Sequence, residues 1–348
     1  MPHFNKVLIT RFSALGDVAM TVPQVYSVCR AYPDITFVML TQKVASSLFI
    51  NAPHNLQVYV AHIYDKHKGI VGLYRLAREL NELGIDAVID LHDVMRSQFL
   101  RLLLRIMGRP VFVIDKGRRD KKRLVATKNK VFEQLKSSAQ RYADTISQAG
   151  LPYQQSFTSL YPEAKAPVET FAHITSPKSA GTKWIGIAPF AKHNGKIYPL
   201  DYMECVVEQL SKLDDTHLFL FGAGSEEAKV LGSWRDKYNN VTSLADRRNG
   251  FPVELALISH LDVMVSMDSA NMHLAALTNT PVITIWGATH RYAGFLGYNV
   301  SLQLIIEDDM PCRPCSVFGN KPCHRGDYAC MRNISPQRVI DKIKETIY

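Results

Sequence analysis

Residues 6–23 read KVLITRFSALGDVAMTVP. A short apolar run, a polar turn holding one glycine and one aspartate, and a helical apolar spacing follow one another. KVLIT (6–10) is predicted as a strand and VAMTVPQVYSVCRAY (18–32) as the helix after it. Gly16 lets the backbone turn tightly, and a helix start offers free N–H groups and positive dipole character. Asp17 then has two readings. It is either the N-cap of the helix, a place aspartate favours, or a cleft carboxylate that takes a proton from an attacking hydroxyl.

The same alternation continues along the chain. ITFVML (35–40), LQVYVA (56–61), AVIDLH (87–92) and VFVI (111–114) read as strands, with helices near 43–50 and 70–83. After a Pro- and Ser-containing stretch at 152–182 the pattern restarts with WIGIAPF (184–190). HLFLFGAG (217–224), VTSLA (241–245), DVMVSMD (262–268) and PVITIWG (281–287) follow as strands, with helices over 202–213, 253–259 and 270–277. Ser335-Pro336 opens a last helix to Ile347, as N-cap and first helical residue. Strands alternating with helices predict an α/β fold with parallel sheets. Two such series predict two Rossmann-like domains, at 1–170 and 171–334, with 335–348 as a closing helix. Ligands in such sheets bind beyond the carboxyl ends of strands, so the post-strand loops are where chemistry is sought.

Bulk composition narrows the class. A chain of 348 residues, 47% hydrophobic and 21% charged, is expected to be globular and too long for one ordinary core. No stretch approaches the roughly 18 apolar residues of a membrane span. MPHFNKVLIT has no charged region followed by an apolar one, so the expected compartment is the cytoplasm. The formal charge of +9 is concentrated: Lys116 to Lys130 holds eight basic residues and one acid, Asp120. Such a segment suits a phosphate-rich partner, and equally suits a solvated loop. No aromatic platform interleaves it, which ranks nucleic-acid binding by a non-catalytic protein far behind.

Three later stretches carry candidate chemistry. In SMDSANMHLAAL (266–277), Asp268 ends a strand and is placed to accept sugar hydroxyls. Ser269 and Ala270 are small enough for a helix N-terminus to hold a diphosphate; His273 is either a core histidine or a ligand contact. In APFAKHNGKIYPLDYM (188–203), Lys196 is a counter-charge for phosphate or an ordinary surface lysine. In FGAGSEE (221–227), Gly222 makes the turn, and Glu226 and Glu227 either bind ribose hydroxyls or favour a helix start.

SALGD, Val88-Ile-Asp-Leu-His with Arg96-Ser97, Lys196-Ile-Tyr-Pro199, GAGSEE and Asp268-Ser-Ala with His273-Leu-Ala come in one order from about residue 5 to 345. Together they resemble glycosyltransferase family 9, the ADP-heptose:lipopolysaccharide heptosyltransferases. The resemblance implies a GT-B fold, two Rossmann-like domains facing each other across a cleft, with the C-terminal helix packing back toward the N-terminal domain. It implies inverting heptose transfer without a catalytic metal, from ADP-heptose to a Kdo/heptose-lipid A type acceptor, by a cytoplasmic enzyme peripheral to the inner face of the membrane. A different nucleotide sugar, or a capsule or protein acceptor, is the alternative.

By the same resemblance Asp17 is the general base, with Ser13 and Gly16 beside it in the acceptor domain. Lys196 offsets donor phosphate charge, and Asp268, Ser269 and Ala270 bind diphosphate and sugar. Arg118, Arg119, Lys121, Lys122 and Arg123 then meet acceptor phosphates or the anionic inner leaflet. The chain departs from the family at Ala270, where many relatives carry glycine. It departs again at WGATHRY (286–292), where many read FGPT and an acid, so Trp286 and His290 bear on sugar and base specificity.

Cys312, Cys315, Cys323 and Cys330 form one CxxC pair with two wider gaps. They are either a structural tetrahedral zinc site or reduced, packed thiols.

Overall fold

The computed structural model describes residues 4–163, 165–247 and 249–348; the first three residues of the N-terminal stretch read above lie outside them. The chain divides into two compact units. One is Met1–Gly117 with Lys136–Thr158, and the other is Arg118–Leu135 with Ser159–Tyr348.

The first unit runs β1 (Lys6–Thr10), α1 (Leu15–Ala19), α2 (Val22–Ala31), β2 (Thr36–Thr41), α3 (Lys43–Ser46), β3 (Leu56–Val60), α4 (Gly69–Glu82), β4 (Ala87–Asp90), α5 (Met95–Ile106) and β5 (Val111–Val113). The chain leaves it through α6 (Arg118–Leu124), which belongs to the second unit, and returns as α7 (Ser138–Gln148). Its sheet has the order β3-β2-β1-β4-β5, all parallel. Val7, Leu8 and Ile9 are wholly buried, as both-face burial of a parallel sheet requires. Leu76 and Leu80 of α4 and Leu100 and Leu104 of α5 pack with Leu8, Val38 and Val88 in one core cluster.

The helix expected over 18–32 is two helices. Pro23 has no N–H to donate and fits only in a first turn, so α2 starts afresh at Val22. Helix α5 was not foreshadowed by periodicity, because Arg96, Arg101 and Arg105 are distributed among its leucines.

The second unit runs β6 (Lys183–Ala188), α8 (Leu200–Ser211), β7 (Thr216–Leu220), α9 (Ser225–Lys237), β8 (Val241–Ser243), α10 (Phe251–Ile258), β9 (Val263–Met267), α11 (Ala270–Leu277), β10 (Val282–Trp286), β11 (Ile305–Glu307), α12 (Ala329–Arg332) and α13 (Pro336–Ile347). The sheet order is β11-β10-β9-β6-β7-β8, again all parallel. Among the described residues no helix is long and apolar enough to cross a membrane.

Two expectations about organisation change. The first unit ends at Thr158, not 170, because Leu160 N–H donates to Leu277 O at 2.8 Å and Ala166 N–H to Ser259 Oγ at 3.1 Å. The basic stretch Arg118–Leu135 groups with the second unit. Lys130 Nζ donates to the carbonyls of Cys312, Arg313 and Pro314 at 3.0–3.2 Å, and Phe132 lies 4.9 Å from the rings of both His290 and Tyr292. The last helix buries Val339, Ile340, Ile343 and Ile347 in the core of the second unit. Its end is held there by Tyr348 Oη, which donates to Asp215. Ser335 is its N-cap, accepting from Arg338 N–H at 3.2 Å, and Pro336 stands in its first turn, as the sequence predicts.

Candidate active site

Each sheet has one place where the strand order reverses. In the first unit β1, β2 and β3 progress to one side, and β4 then returns to the other side of β1. The gap above the carboxyl ends of β1 and β4 is therefore the topological switch point, where ligands of open α/β sheets bind. Asp17 stands there, in the loop and helix that follow β1.

Asp17 is not the N-cap. Ala14 is, and Asp17 is the third helical residue, its carboxylate folding back to accept Ala14 N–H at 3.2 Å. Gly16 lies inside α1 itself. A second, stronger partner went unread in the sequence. Arg11, the first residue after β1, places its guanidinium 2.6 Å from Asp17 Oδ2. Arg11 is buried, donates also to Leu91 O at 2.7 Å, and lies 5.9 Å above the Tyr142 ring. The Asp17 side chain keeps 29% of its surface exposed.

The Val88–Ser97 motif builds the other lip. Asp90 at the end of β4 is buried, accepts the N–H groups of His92 and Asp93, and pairs with Arg101 at 2.8 Å. His92 Nδ1 accepts Phe12 N–H at 3.3 Å, so its proton sits on Nε2. Burial, reinforced by the Arg11 and Lys116 cations, pushes the His92 imidazole down to about 3. It is a neutral support for the loop carrying Arg11.

In the second unit the reversal lies between β6 and β9. Lys196 follows β6 and Asp268 follows β9, and the structure joins them: Lys196 Nζ is 2.9 Å from Asp268 Oδ2, with side-chain exposures of 15% and 4%. Thr289, two residues beyond Gly287, donates its hydroxyl to the same oxygen at 2.8 Å. Ser269 is the N-cap of α11, yet its side chain makes no cap bond; its Oγ lies 3.2 Å from Ser266 Oγ. The first N–H groups of α11 are therefore available to an anion. Ala270 is the first residue of that helix, and His273 is buried in its opening turn.

Glycines make the close approaches that hold Lys196. A Cβ on Gly319, whose φ is +74°, would lie 2.7 Å from Lys196 Cγ. A Cβ on Gly195 would meet Gly319 O at 2.8 Å and Ala288 Cβ at 2.9 Å. The backbones interlock accordingly: Gly195 N–H donates to Gly319 O at 3.3 Å, and Ala288 N–H to Gly195 O at 2.9 Å.

The acids after β7 divide. Glu227 turns back onto its own loop, accepting Ala223 N–H at 2.8 Å, while Glu226 is exposed. Gly222 suits that packing, since a Cβ there would stand 2.9 Å from a Leu231 methyl.

Trp286 and His290 turn out to be framework. Trp286 is wholly buried and donates its indole N–H to Thr284 at 2.9 Å. His290 Nδ1 accepts Tyr292 N–H, and its Nε2 faces Glu307 at 3.2 Å. Burial pushes His290 down to about 4, so it donates to Glu307 as a neutral ring.

The cysteine segment is organised by the arginine inside it. Arg313 is buried and donates to Gly287 O at 2.6 Å, to the carbonyls of Trp286, Thr289 and Asp308, and to Glu307. Cys312, Cys315, Cys323 and Cys330 line one small pocket beside it and are all free thiols. Burial raises the Cys330 thiol to about 11 and raises Cys315 too, keeping both protonated. Among the described residues no three or more His, Cys, Asp or Glu side chains are arranged to hold a metal.

Of the five arginines and lysines expected at an acceptor, Arg118, Arg119, Lys122 and Arg123 are exposed on α6, and Lys121 Nζ lies 4.2 Å over the Phe295 ring. Ser13 adjoins the Ala14 N-cap in the Asp17 turn.

Two parallel-sheet α/β units, each with polar side chains gathered at its switch point, place the chain in the GT-B class of fold. The chain belongs to glycosyltransferase family 9 (heptosyltransferase), whose family model matches residues 73–322. It is 23% identical to a lipooligosaccharide heptosyltransferase 2 of Campylobacter jejuni, over 98% of each chain. Its fold is similar to that of a family 9 glycosyl transferase from Veillonella parvula, with a TM-score of 0.74 at 16% identity, covering 99% of this chain and 97% of that one. It is likewise similar to the ADP-heptose lps heptosyltransferase II of E. coli, with a TM-score of 0.67 at 16% identity over 98% of each.

Proposed function

We propose that this enzyme transfers heptose from ADP-heptose to a lipopolysaccharide-core acceptor, with inversion and without a metal in the reaction. The observation that carries the reading is the Lys196–Asp268–Thr289 cluster beside the uncapped start of α11. A largely buried ammonium next to uncapped backbone N–H groups suits a leaving diphosphate. The curated relative and the E. coli structure, by their names, point to the same sugar and acceptor class.

In this mechanism an acceptor hydroxyl oxygen attacks the anomeric carbon as the bond from that carbon to the diphosphate oxygen breaks. Attack opposite the leaving group inverts the centre. The hydroxyl proton passes to the Asp17 carboxylate, held beside Arg11, as the hydroxyl acidifies during attack. Negative charge growing on ADP is met by Lys196 and the α11 N–H groups, which takes over the part a cation plays elsewhere. Asp268 then has two tasks: it holds Lys196 in place and accepts sugar hydroxyls. Glu226 is the exposed acid left for the ribose, and Arg118, Arg119, Lys122 and Arg123 are the acceptor's phosphate partners. The enzyme works at the inner face of the cytoplasmic membrane, where such an acceptor is anchored.

Asp17→Asn tests the reading. It should lower transfer to a Kdo-lipid A acceptor by about a hundredfold or more, while ADP-heptose still raises the melting temperature as in the wild type. Near-wild-type transfer by that variant removes the base assignment. Stronger stabilisation by a UDP- or GDP-sugar than by ADP-heptose removes the donor assignment.

A further inference from the structure

We propose that the outer face of α4 and α5 is the surface by which the enzyme rests on an anionic lipid bilayer. This rests on the reading that the acceptor is lipid-anchored. Among the described residues twelve large hydrophobic side chains are well exposed, and seven of them lie on these two helices and the loop before α4. Tyr64, Ile70, Val71 and Tyr74 are 50–74% exposed on the α4 side. Met95, Leu102 and Ile106, at helical spacing on α5, are 50–86% exposed. The opposite faces of both helices supply Leu73, Leu76, Leu80, Leu100 and Leu104 to the core, so the outer apolar residues are not needed to hold the fold.

The two halves form one platform. Arg96 at the start of α5 lies 5.6 Å over the Tyr64 ring, and Arg109 after α5 donates to Asn81 of α4 at 3.0 Å. The loop before α4 is pinned: Glu79 takes Lys66 at 2.7 Å, buried His67 at 3.2 Å and Tyr59 Oη at 2.6 Å. Gly72 packs directly against His67, where a Cβ would come within 2.3 Å of its carbonyl carbon. Tyr64 and Ile70 are thus presented on a built surface.

Charge selects the partner. Lys68, Arg75, Arg96 and Arg105 are exposed among these apolar groups, Lys66 and Arg78 being paired with Glu79 and Glu82, and α5 contains no acid. Aromatic and aliphatic side chains ringed by Lys and Arg are what an interfacial surface for anionic headgroups needs. Both helices begin at the carboxyl ends of their preceding strands, so Tyr64, Ile70, Val71 and Met95 share the end of the sheet that carries Asp17. A bilayer met there would bring an acceptor headgroup to the base. The exposed basic residues of α6 carry no comparable apolar set.

Flotation of the purified full-length chain with phosphatidylglycerol-containing vesicles and with purely phosphatidylcholine vesicles tests this. Strong partition to the first and weak partition to the second is expected. Ile70→Glu with Met95→Glu should lower partition about tenfold or more; Arg75→Glu with Arg96→Glu should do the same while leaving the apolar groups in place. Charge removal on α6 (R118Q, R119Q, K122Q, R123Q) should lower it by less than about twofold. The proposal fails if the α4–α5 variants float as the wild type does. It fails equally if the face proves to join two copies, with a wild-type dimer made monomeric by I70E/M95E and no lipid partition. ADP-heptose stabilisation of every variant is measured alongside. Its absence in the wild type would count against the donor reading alone, and its retention in the variants shows they are folded.

Discussion

Lys196 and Asp268 are 72 residues apart in sequence, yet the Lys196 ammonium sits 2.9 Å from Asp268 Oδ2 with both side chains largely out of water. The parallel pairing of β6 with β9 brings this about, since Ala188 and Ser266 are register partners at the carboxyl ends of those strands. A buried pair of this kind is costly to break from one side, because the surviving charge has lost both solvent and partner.

Lys196→Ala should therefore destabilise the protein by about 3–5 kcal/mol as well as abolish donor binding. Asp268→Asn on top of it should recover part of that loss, so the two changes will be strongly non-additive. Urea denaturation of both single variants and the double variant measures the coupling; simple additivity would contradict a functional pair.

Gly319→Ala places a Cβ 2.7 Å from Lys196 Cγ at a φ of +74°. The strained backbone alone costs about 1–2 kcal/mol, and the lysine must move. ADP affinity should fall at least about tenfold by calorimetry, whereas Gly326→Ala, at φ +80° but with open space around it, should cost only the backbone strain.

Arg313→Met should be among the most damaging changes outside the site. It leaves the carbonyls of Gly287, Trp286 and Thr289, and the Glu307 carboxylate, without their buried donor. A loss of about 3–5 kcal/mol is expected. Cys323→Ser, in contrast, should change stability by less than about 1 kcal/mol. A collapse of the fold in Cys323→Ser would instead favour a structural metal over packed thiols.

His92 gives stability a pH dependence with a definite sign. Its folded pKa, about 3, lies below the usual unfolded value near 6.5. Between those values the unfolded chain binds a proton that the folded chain refuses. Stability is thus full above about pH 6.5 and declines as pH falls toward 3, by up to about 1.4 kcal/mol per unit. His290, at about 4, adds the same sign in a narrower window. His92→Gln should flatten urea midpoints measured between pH 4.5 and 7; an unchanged slope would show that His92 is not the group responsible.

Much of this was readable along the chain. KVLIT followed by a polar turn, and then the restart at WIGIAPF, is a local pattern of side-chain period and turn chemistry. It predicts alternating strands and helices without reference to distant residues. The order of motifs was legible for the same reason, and it led to the family. Local chemistry also misled. Asp17 next to a helix start reads as a cap, but Ala14 has that position and Arg11 takes the carboxylate. The basic run at 116–130 reads as one charged surface, but Lys130 is spent on three carbonyls nearly two hundred residues away.

What the sequence by itself determined is the class of fold, the placement of polar residues just beyond strand ends, and the family. Only the tertiary structure decided which of those residues meet. Strand order assigns the neighbours of β1 and β6, and that order depends on long-range packing that no local window contains. Through it Lys196 was given to Asp268 with Thr289, and Arg313, rather than the cysteines around it, the work of closing the loops at the end of β10.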